Sequence, residues 1–412
     1  MADTITRRET GASPHGVEPR DDRGARLGYR PFDADNHYYE AIDAFTRHLD
    51  PRHATRVFQW ATIGGRQYPV IGGQVFRGVA NATFDPVSKP GVLADYFRGN
   101  PHNDDPVALL GDHEPIRPAY RDRDARLATL DAHGLGAVWM FPTLGMLYEE
   151  ALKHDPEGVT IMFRAFNRWL AEDWGFAYED RIYSAPYLTL ADVDWACEEL
   201  DWALAQGART IVMRAAAPTT ASGQVAPGHR SNDRFWARVA EANITCVVHA
   251  GDAGYGSHGY ANDGFTTDFA GVPQPIRMLQ LERPIEDFLS SLVCDHLFVR
   301  HPGLRIASVE NGSMFLGSLF NKLRITARKM EGWWAEDPVE TFRRHIWINP
   351  FWEDDVDDVI DAMGADRVIF GSDWPHIEAL PRPLDYLADV AHLDEATRRK
   401  VLLDNVTELN TP

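Results

Sequence analysis

Short apolar runs alternate with amphipathic stretches along most of the chain. Residues 137–141 (AVWMF) form one such run, closed by Pro142. The runs at 182–187, 210–214 (TIVMR), 244–249 (ITCVVH), 305–309 (RIASV), 345–349 (HIWIN) and 368–371 (VIFG) repeat it. Their brevity and β-branched content predict buried strands. The stretches between them carry helical periodicity. Residues 159–174 place Met162, Phe166 and Leu170 on one stripe. Residues 190–206 predict a helix capped by Thr189, with Gly207 where a left-handed C-terminal residue belongs. Helices are also expected over 232–242, 284–299, 313–328, 356–363 and 383–408. With 32–35 as the first strand, eight strands interleave with helices. The expected architecture is therefore α/β, a (β/α)8 TIM-type barrel. An open doubly wound sheet is the alternative, but no GxGxxG follows the first strand.

Two stretches break this rhythm. Residues 1–29 are polar and rich in Arg, Asp, Gly and Pro, and are expected to be a flexible tail. The barrel then occupies 30–412. Within it, about 40–118 is rich in Gly, Pro and Asn and contains Ile63-Gly64-Gly65-Arg66 and Val70-Ile71-Gly72-Gly73. It is expected to be a long insertion after strand one, set over the barrel mouth as a lid or oligomer contact.

Composition narrows the function classes. The 412 residues hold 41 Lys and Arg against 61 Asp and Glu, a net charge of −20, and are 44% hydrophobic. Such a chain is too apolar to be disordered and too acidic to be chiefly a nucleic-acid or membrane-surface binder. No run is long enough for a membrane span, and no apolar run follows Arg7-Arg8, so a cytoplasmic location is expected. Cys197, Cys246 and Cys294 are far apart and form no CxxC pair, which excludes a cysteine zinc site of that spacing.

In a barrel, chemistry gathers at the C-terminal ends of the strands. Asp35 and His37 are two apart on strand one and so share a direction. His249 ends strand five and Asp373 follows strand eight. Any one His at a strand end is commonly structural. Two imidazoles and two carboxylates converging from three strands suit one divalent ion: Zn, Mn or Fe.

These residues resemble the amidohydrolase superfamily, in its amidohydrolase-related branch, which also holds aminocarboxymuconate-semialdehyde decarboxylase and the resorcylate-type decarboxylases. The matching pieces are Asp33-x-Asp35-x-His37-x-x-Glu40, His249 in Val-Val-His-Ala-Gly-Asp, the segment from Val299 to Ile306, and Phe370-Gly-Ser-Asp373-Trp-Pro-His376. The resemblance implies a barrel with one divalent metal and an Asp373 that both binds metal and moves protons. It departs from the pattern at two positions. Asp35 stands for the first His of a His-x-His pair, and Glu310-Asn311-Gly312 stands where strand six commonly carries a His.

The extra acid affects the choice of substrate. Ionised Asp35, Glu310 and Asp373 outweigh a divalent ion by one charge, and at 4 Å and an effective dielectric near 20 each unpaired unit interaction is worth ~4 kcal/mol. That favours hydrolysis of a neutral amide, ester or cyclic C–N bond, with Asp373 and Glu310 moving protons. The alternative is non-oxidative decarboxylation of a small, aromatic carboxylic acid. Arg214, at the end of strand four, would serve that alternative by clamping a substrate carboxylate. His376, Trp374 and His258 are further candidates for contacting a small-molecule substrate, and Glu40 for supporting the strand-one loop. For His376 and Glu40 the ordinary readings are a loop-stabilising histidine and a solvent-facing acid. Trp60, Trp139, Trp347, Trp352 and Trp374 either line a flat pocket or pack in the core. Barrels of this kind are commonly homo-oligomers, dimers or higher, and that is expected by analogy.

Overall fold

Seven of the expected strands form where the apolar runs predict them. They are β1 (Phe32–Tyr38), β2 (Ala137–Pro142), β3 (Ile182–Ser184), β4 (Thr210–Arg214), β5 (Thr245–His249), β6 (Arg305–Val309) and β7 (Ile346–Ile348). The computed structural model describes residues 20–255, 275–351 and 354–412. Every pairing between these strands is parallel, in the orders β1-β2-β3 and β7-β6-β5-β4. Single parallel bridges join the two sheets. Tyr187 pairs with Val212 beyond β3, and Ile348 pairs with Val368 beyond β7. Asn36 pairs with Trp374, bringing the chain back to β1. The eighth run is thus present as bridges and hydrogen bonds rather than as a regular strand: Ala34 N donates to Phe370 O (2.8 Å) and Ile369 N to Ile348 O (2.9 Å). This is the TIM-type architecture, with the seams of its ring carried by a few bonds each. The strands are buried on both faces, as parallel sheets covered by helices must be.

The helices depart from expectation in detail. The helix expected over 190–206 runs Val193–Ala205, and its cap is Asp192, which accepts from Trp195 N. Thr189 instead donates its hydroxyl to Glu149 (2.8 Å). The stretch 284–299 divides into Arg283–Cys294 and Leu297–Arg300, because His296 adopts φ 56°. The stretch 383–408 breaks into short turns of different pitch, with Asp394 capping a new start. Helices Arg123–His133 and Gly145–Leu152 were not foreseen.

Residues 20–29, expected to belong to a flexible tail, are docked. Asp21 N donates to Ala132 O (2.6 Å), and the Arg23 guanidinium bridges Asp21 and Asp385. The region after strand one contains an antiparallel hairpin, Phe58–Ile63 with Arg66–Ile71, and otherwise short elements. Part of it lies on the loop after the eighth run: Gly91 N donates to His376 O and Leu93 N to Ile377 O. Trp139, Trp347 and Trp374 are core residues, Trp60 donates to Ile42 O, and Trp352 lies outside the described residues. Among the described residues no helix is long and apolar enough to cross a membrane.

Candidate metal centre

The strand ends bring His37 to the middle of a ring of acids. Its Nε2 lies 3.2 Å from Asp35 Oδ1, 3.5 Å from Glu310 Oε2 and 3.4 Å from Asp373 Oδ1. His249 Nε2 lies 3.3 Å from Asp35 and 3.1 Å from Glu310. Two overlapping groups of donor atoms result. Asp35, His37, His249 and Glu310 form one, and His37, Glu310, Asp373 and His376 form the other. Of the four expected ligands, Asp35, His37 and His249 share the first group, while Asp373 joins only His37 among them, in the second; Glu310, named as a proton carrier with its part in metal binding left open, stands in both.

Local backbone geometry produces this convergence. Glu310 (φ 58°) and Asp373 (φ 56°) both lie in the left-handed region just beyond their strands. Such a conformation costs a non-glycine residue about 1–3 kcal/mol and is concentrated at functional sites. Asp33 ties the first strand to the eighth run, accepting from Ser372 N (2.8 Å) and Ser372 Oγ (2.6 Å).

The histidines are oriented by their outer nitrogens. His249 Nδ1 lies 2.8 Å from Ala250 O, so it carries the proton and leaves Nε2 as a lone pair facing the acids. Thr143 Oγ1 donates to Tyr38 O (2.9 Å) and lies 2.9 Å from His376 Nε2. With its proton engaged, that hydroxyl accepts from His376 Nε2–H. The other nitrogen, Nδ1, then faces Asp373 Oδ1 at 2.6 Å. Both nitrogens of His37, both oxygens of Asp373 and Nδ1 of His376 are buried, with no hydrogen-bond partner among the described residues.

Buried lone pairs converging without donors are unfavourable unless a cation or protons stand between them. The residues therefore fit a divalent ion, and a set of nitrogen and carboxylate oxygen donors suits Zn, Mn or Fe. The electrostatics point the same way. Burial alone would lower His37, but the Asp35 and Glu310 carboxylates override it and raise it to about 9. Burial and the neighbouring Glu310 hold Asp373 well above the ordinary carboxylate range. Glu310 and His376 keep partial exposure, 14% and 12% of their side chains, so the cluster meets solvent on their side. Phe141, fully buried, packs behind the two histidines, its ring 4.8 Å from that of His249 and 6.1 Å from that of His37.

The remaining expected residues are placed differently. Arg214 is 3% exposed and already paired: its guanidinium meets Glu150 (2.7 Å), Glu149 (3.5 Å) and the Asp252 carbonyl (2.6 Å). It does not stand free to clamp a substrate carboxylate. Trp374 is fully buried behind β1, under the Arg126 guanidinium and against Tyr120 and His133, so packing fixes it away from the mouth. Glu40 is buried and accepts from Gly145 N (3.0 Å) at the start of helix Gly145–Leu152, which supports the loop after β2 as well as its own. His258 lies outside the described residues. Sequence reasoning did not single out Thr143, whose only signal is its place after β2, or Glu378, a buried acid five residues beyond Asp373.

Comparison with known proteins decides the family. The amidohydrolase family model matches residues 143–409. The chain belongs to the amidohydrolase family. A crystal structure of an amidohydrolase from Mycobacterium avium subsp. paratuberculosis K-10 is 40% identical, covers 93% of this chain and 99% of its own, and superposes with a TM-score of 0.87. More distant structures share this amidohydrolase's fold. A 2,6-dihydroxybenzoate decarboxylase from Rhizobium is 21% identical over 70% of this chain and 88% of its own (TM-score 0.55). A 5-carboxyvanillate decarboxylase from Novosphingobium aromaticivorans DSM 12444, solved with manganese, is 15% identical over 97% and 100% (TM-score 0.58). No curated protein matches the chain.

Proposed function

We propose that this amidohydrolase is a metal-dependent hydrolase of a small substrate with a neutral amide, ester or cyclic C–N bond. One observation carries the reading. His37 has three carboxylates within 3.5 Å, while the arginine nearest in expectation, Arg214, is spent on Glu150 and Asp252. With a divalent ion and all three acids ionised, one negative charge remains, which repels a substrate carboxylate and tolerates a neutral carbonyl.

Asp35, His37, His249 and Glu310 would hold the ion, with Asp373 beside it. A divalent ion supplies Lewis acidity that acidifies water and polarises a carbonyl. Asp373 accepts the proton of the attacking water. Its burial among acids favours retaining that proton until it is needed. His376, fixed by Thr143, steadies the Asp373 carboxyl. As the bond to the leaving group breaks, Asp373 passes that same proton to it, with Glu310 on the solvent side as the alternative relay.

Protein loaded with manganese or zinc, assayed against amides, esters and lactones for hydrolysis and against hydroxybenzoates for CO2, tests the reading. Hydrolysis without CO2 release is expected. CO2 release without any hydrolytic product contradicts it and establishes the second reading, decarboxylation of a small aromatic acid, the reaction named for the Rhizobium and Novosphingobium proteins.

A further inference from the structure

The residues of the candidate metal centre stand on two clamped halves. Asp35, His37 and Asp373 belong to one, where Asp373 N donates to Asp35 O (2.7 Å) and Ser372 Oγ to Asp33. His249 and Glu310 belong to the other, at the end of β5 and just beyond β6, two strands paired in register from Thr245 with Arg305 to His249 with Val309. Side chains meet across the two halves: His37 Nε2 lies 3.5 Å from Glu310 Oε2, and His249 Nε2 lies 3.3 Å from Asp35 Oδ1. β7 stands between the halves. It offers no residue to either converging group, and it meets the eighth run through the bridge of Ile348 with Val368 and the bond from Ile369 N to Ile348 O.

The side chain of Asn349, the first residue beyond β7, spans that seam. It is 2% exposed. Its Oδ1 accepts from Glu310 N (3.3 Å), and its Nδ2 donates to Pro350 O (3.2 Å) and Ile369 O (3.4 Å). Its own backbone N–H donates to Ser308 O (2.9 Å) on β6. Each side-chain bond is long, so packing has to hold the amide in place. Gly371 supplies that packing: a Cβ there would lie 3.0 Å from both amide atoms and would collide with Asp35. One amide thus touches the Glu310 turn, the eighth run and the glycine that backs Asp35.

The turn that Asn349 holds aims one carboxylate. Glu310 takes φ 58°, a conformation that persists at a non-glycine residue when its surroundings fix it. The neighbours do so residue by residue. Asn311 Nδ2 donates to Val248 O and Val309 O, both at 2.8 Å, which ties the turn to the residue before His249. Gly312 leaves room for Glu282, whose Oε1 accepts from Met314 N (3.0 Å). Ser313 N donates to Asp354 Oδ1 (3.3 Å). Glu310 N itself goes to Asn349, and the Glu310 carboxylate faces His37 and His249.

We infer that Asn349 is a positioning residue for Glu310. By bonding the Glu310 turn to the eighth run, it sets how far that carboxylate stands from Asp35, His37 and Asp373, and so how tightly the site binds its divalent ion. The inference rests on the ligand role given to Glu310 above. It goes beyond that role because Asn349 spends its amide on backbone groups and acts through another residue.

A double-mutant cycle on manganese binding tests it. The free-ion electron paramagnetic resonance signal gives Kd at pH 7.5 for wild type, Asn349→Ala, Glu310→Gln and the double variant, with no substrate present. Asn349→Ala should weaken binding about tenfold or more, the scale of losing a residue that orients a ligand. Glu310→Gln should weaken it as well. In the Glu310→Gln background the Asn349→Ala change should cost about threefold or less, because the residue it acts through is already lost. Asn349→Ser, whose hydroxyl is too short to reach Glu310 N, should behave alike and serves in both backgrounds if the Ala variant folds poorly. An equal cost in both backgrounds would show that Asn349 only supports the fold. That result, an unchanged Kd in Asn349→Ala, or wild-type binding by Glu310→Gln overturns the inference. Binding requires no turnover, so the hydrolysis panel is read separately. A coupled cycle with CO2 as the only product would contradict the hydrolase reading alone, and an additive cycle in an enzyme that hydrolyses amides or esters would overturn this inference alone.

Discussion

A Cβ built on Gly371 would lie 2.4 Å from the Cβ of Asp35 and 3.0 Å from the side-chain amide atoms of Asn349. The backbone of the eighth run passes directly against the strand-one acid, and only a glycine permits that approach. Gly371→Ala must therefore displace Asp35 or Asn349. Overpacking of this kind costs about 1–3 kcal/mol. Metal affinity should fall about tenfold or more, because Asp35 meets both His37 and His249. Equilibrium dialysis against manganese, beside a melting curve, measures both effects; unchanged affinity would show that Asp35 is not held by this contact.

Asp373 is the proton carrier of the proposed reaction. Asp373→Asn should leave the fold intact and lower kcat by about 10²–10⁴-fold, the usual contribution of a positioned acid or base. Circular dichroism confirms the fold, and turnover of the best substrate gives the loss. Activity within a few-fold of wild type would remove Asp373 from the chemistry.

Arg214 is assigned to structure rather than to substrate. Arg214→Met leaves the Glu149 and Glu150 carboxylates without their guanidinium. Breaking a buried pair by removing one partner costs about 3–5 kcal/mol, and Glu149 keeps donors from Tyr187 and Thr189, which favours the low end. Stability by denaturant titration should fall while KM changes little. A large rise in KM with stability retained would restore the carboxylate clamp.

The metal-free protein should lose stability as pH rises from 5 to 9. Burial raises Asp33 and Glu40 to about 7 and Glu378 to about 8, and His37 is raised to about 9 by its carboxylates. Each group binds a proton more tightly folded than unfolded. Its contribution is thus full below the unfolded value and is lost as pH climbs through the folded one. Melting temperatures of chelated protein should fall across this window, and Glu378→Gln should flatten the slope. A flat or rising profile in wild type would contradict the assignment.

Parallel strands could be read from the sequence because each buries two faces and so writes a continuous apolar run. The eighth run was legible as residues 368–371 but not in its form: only bridges and a few hydrogen bonds hold it, and Gly371 is pressed against Asp35. The ligand candidates Asp35, His37, His249 and Asp373 were legible because each lies on the C-terminal half of an apolar run or just beyond it, and those ends share one mouth. Arg214 shared that position, but its partners Glu149 and Glu150 lie on helix Gly145–Leu152, which no periodicity announced. Trp374 misled because the residue after a strand-end acid reads as a mouth residue, whereas its backbone pairs with Asn36 and its ring turns to Arg126. Glu378 was invisible because one acid in a loop carries no pattern. Its burial is a property of the fold alone.

The proposed chemistry requires these strand ends to hold one divalent ion. Elemental analysis of the purified, manganese-reconstituted protein, repeated on His249→Ala, tests it most directly. One divalent ion per chain is expected in wild type, with a rise in melting temperature on loading that chelation reverses, and loss of both in the variant. Wild-type protein that retains no stoichiometric metal and melts identically with and without chelator would contradict it.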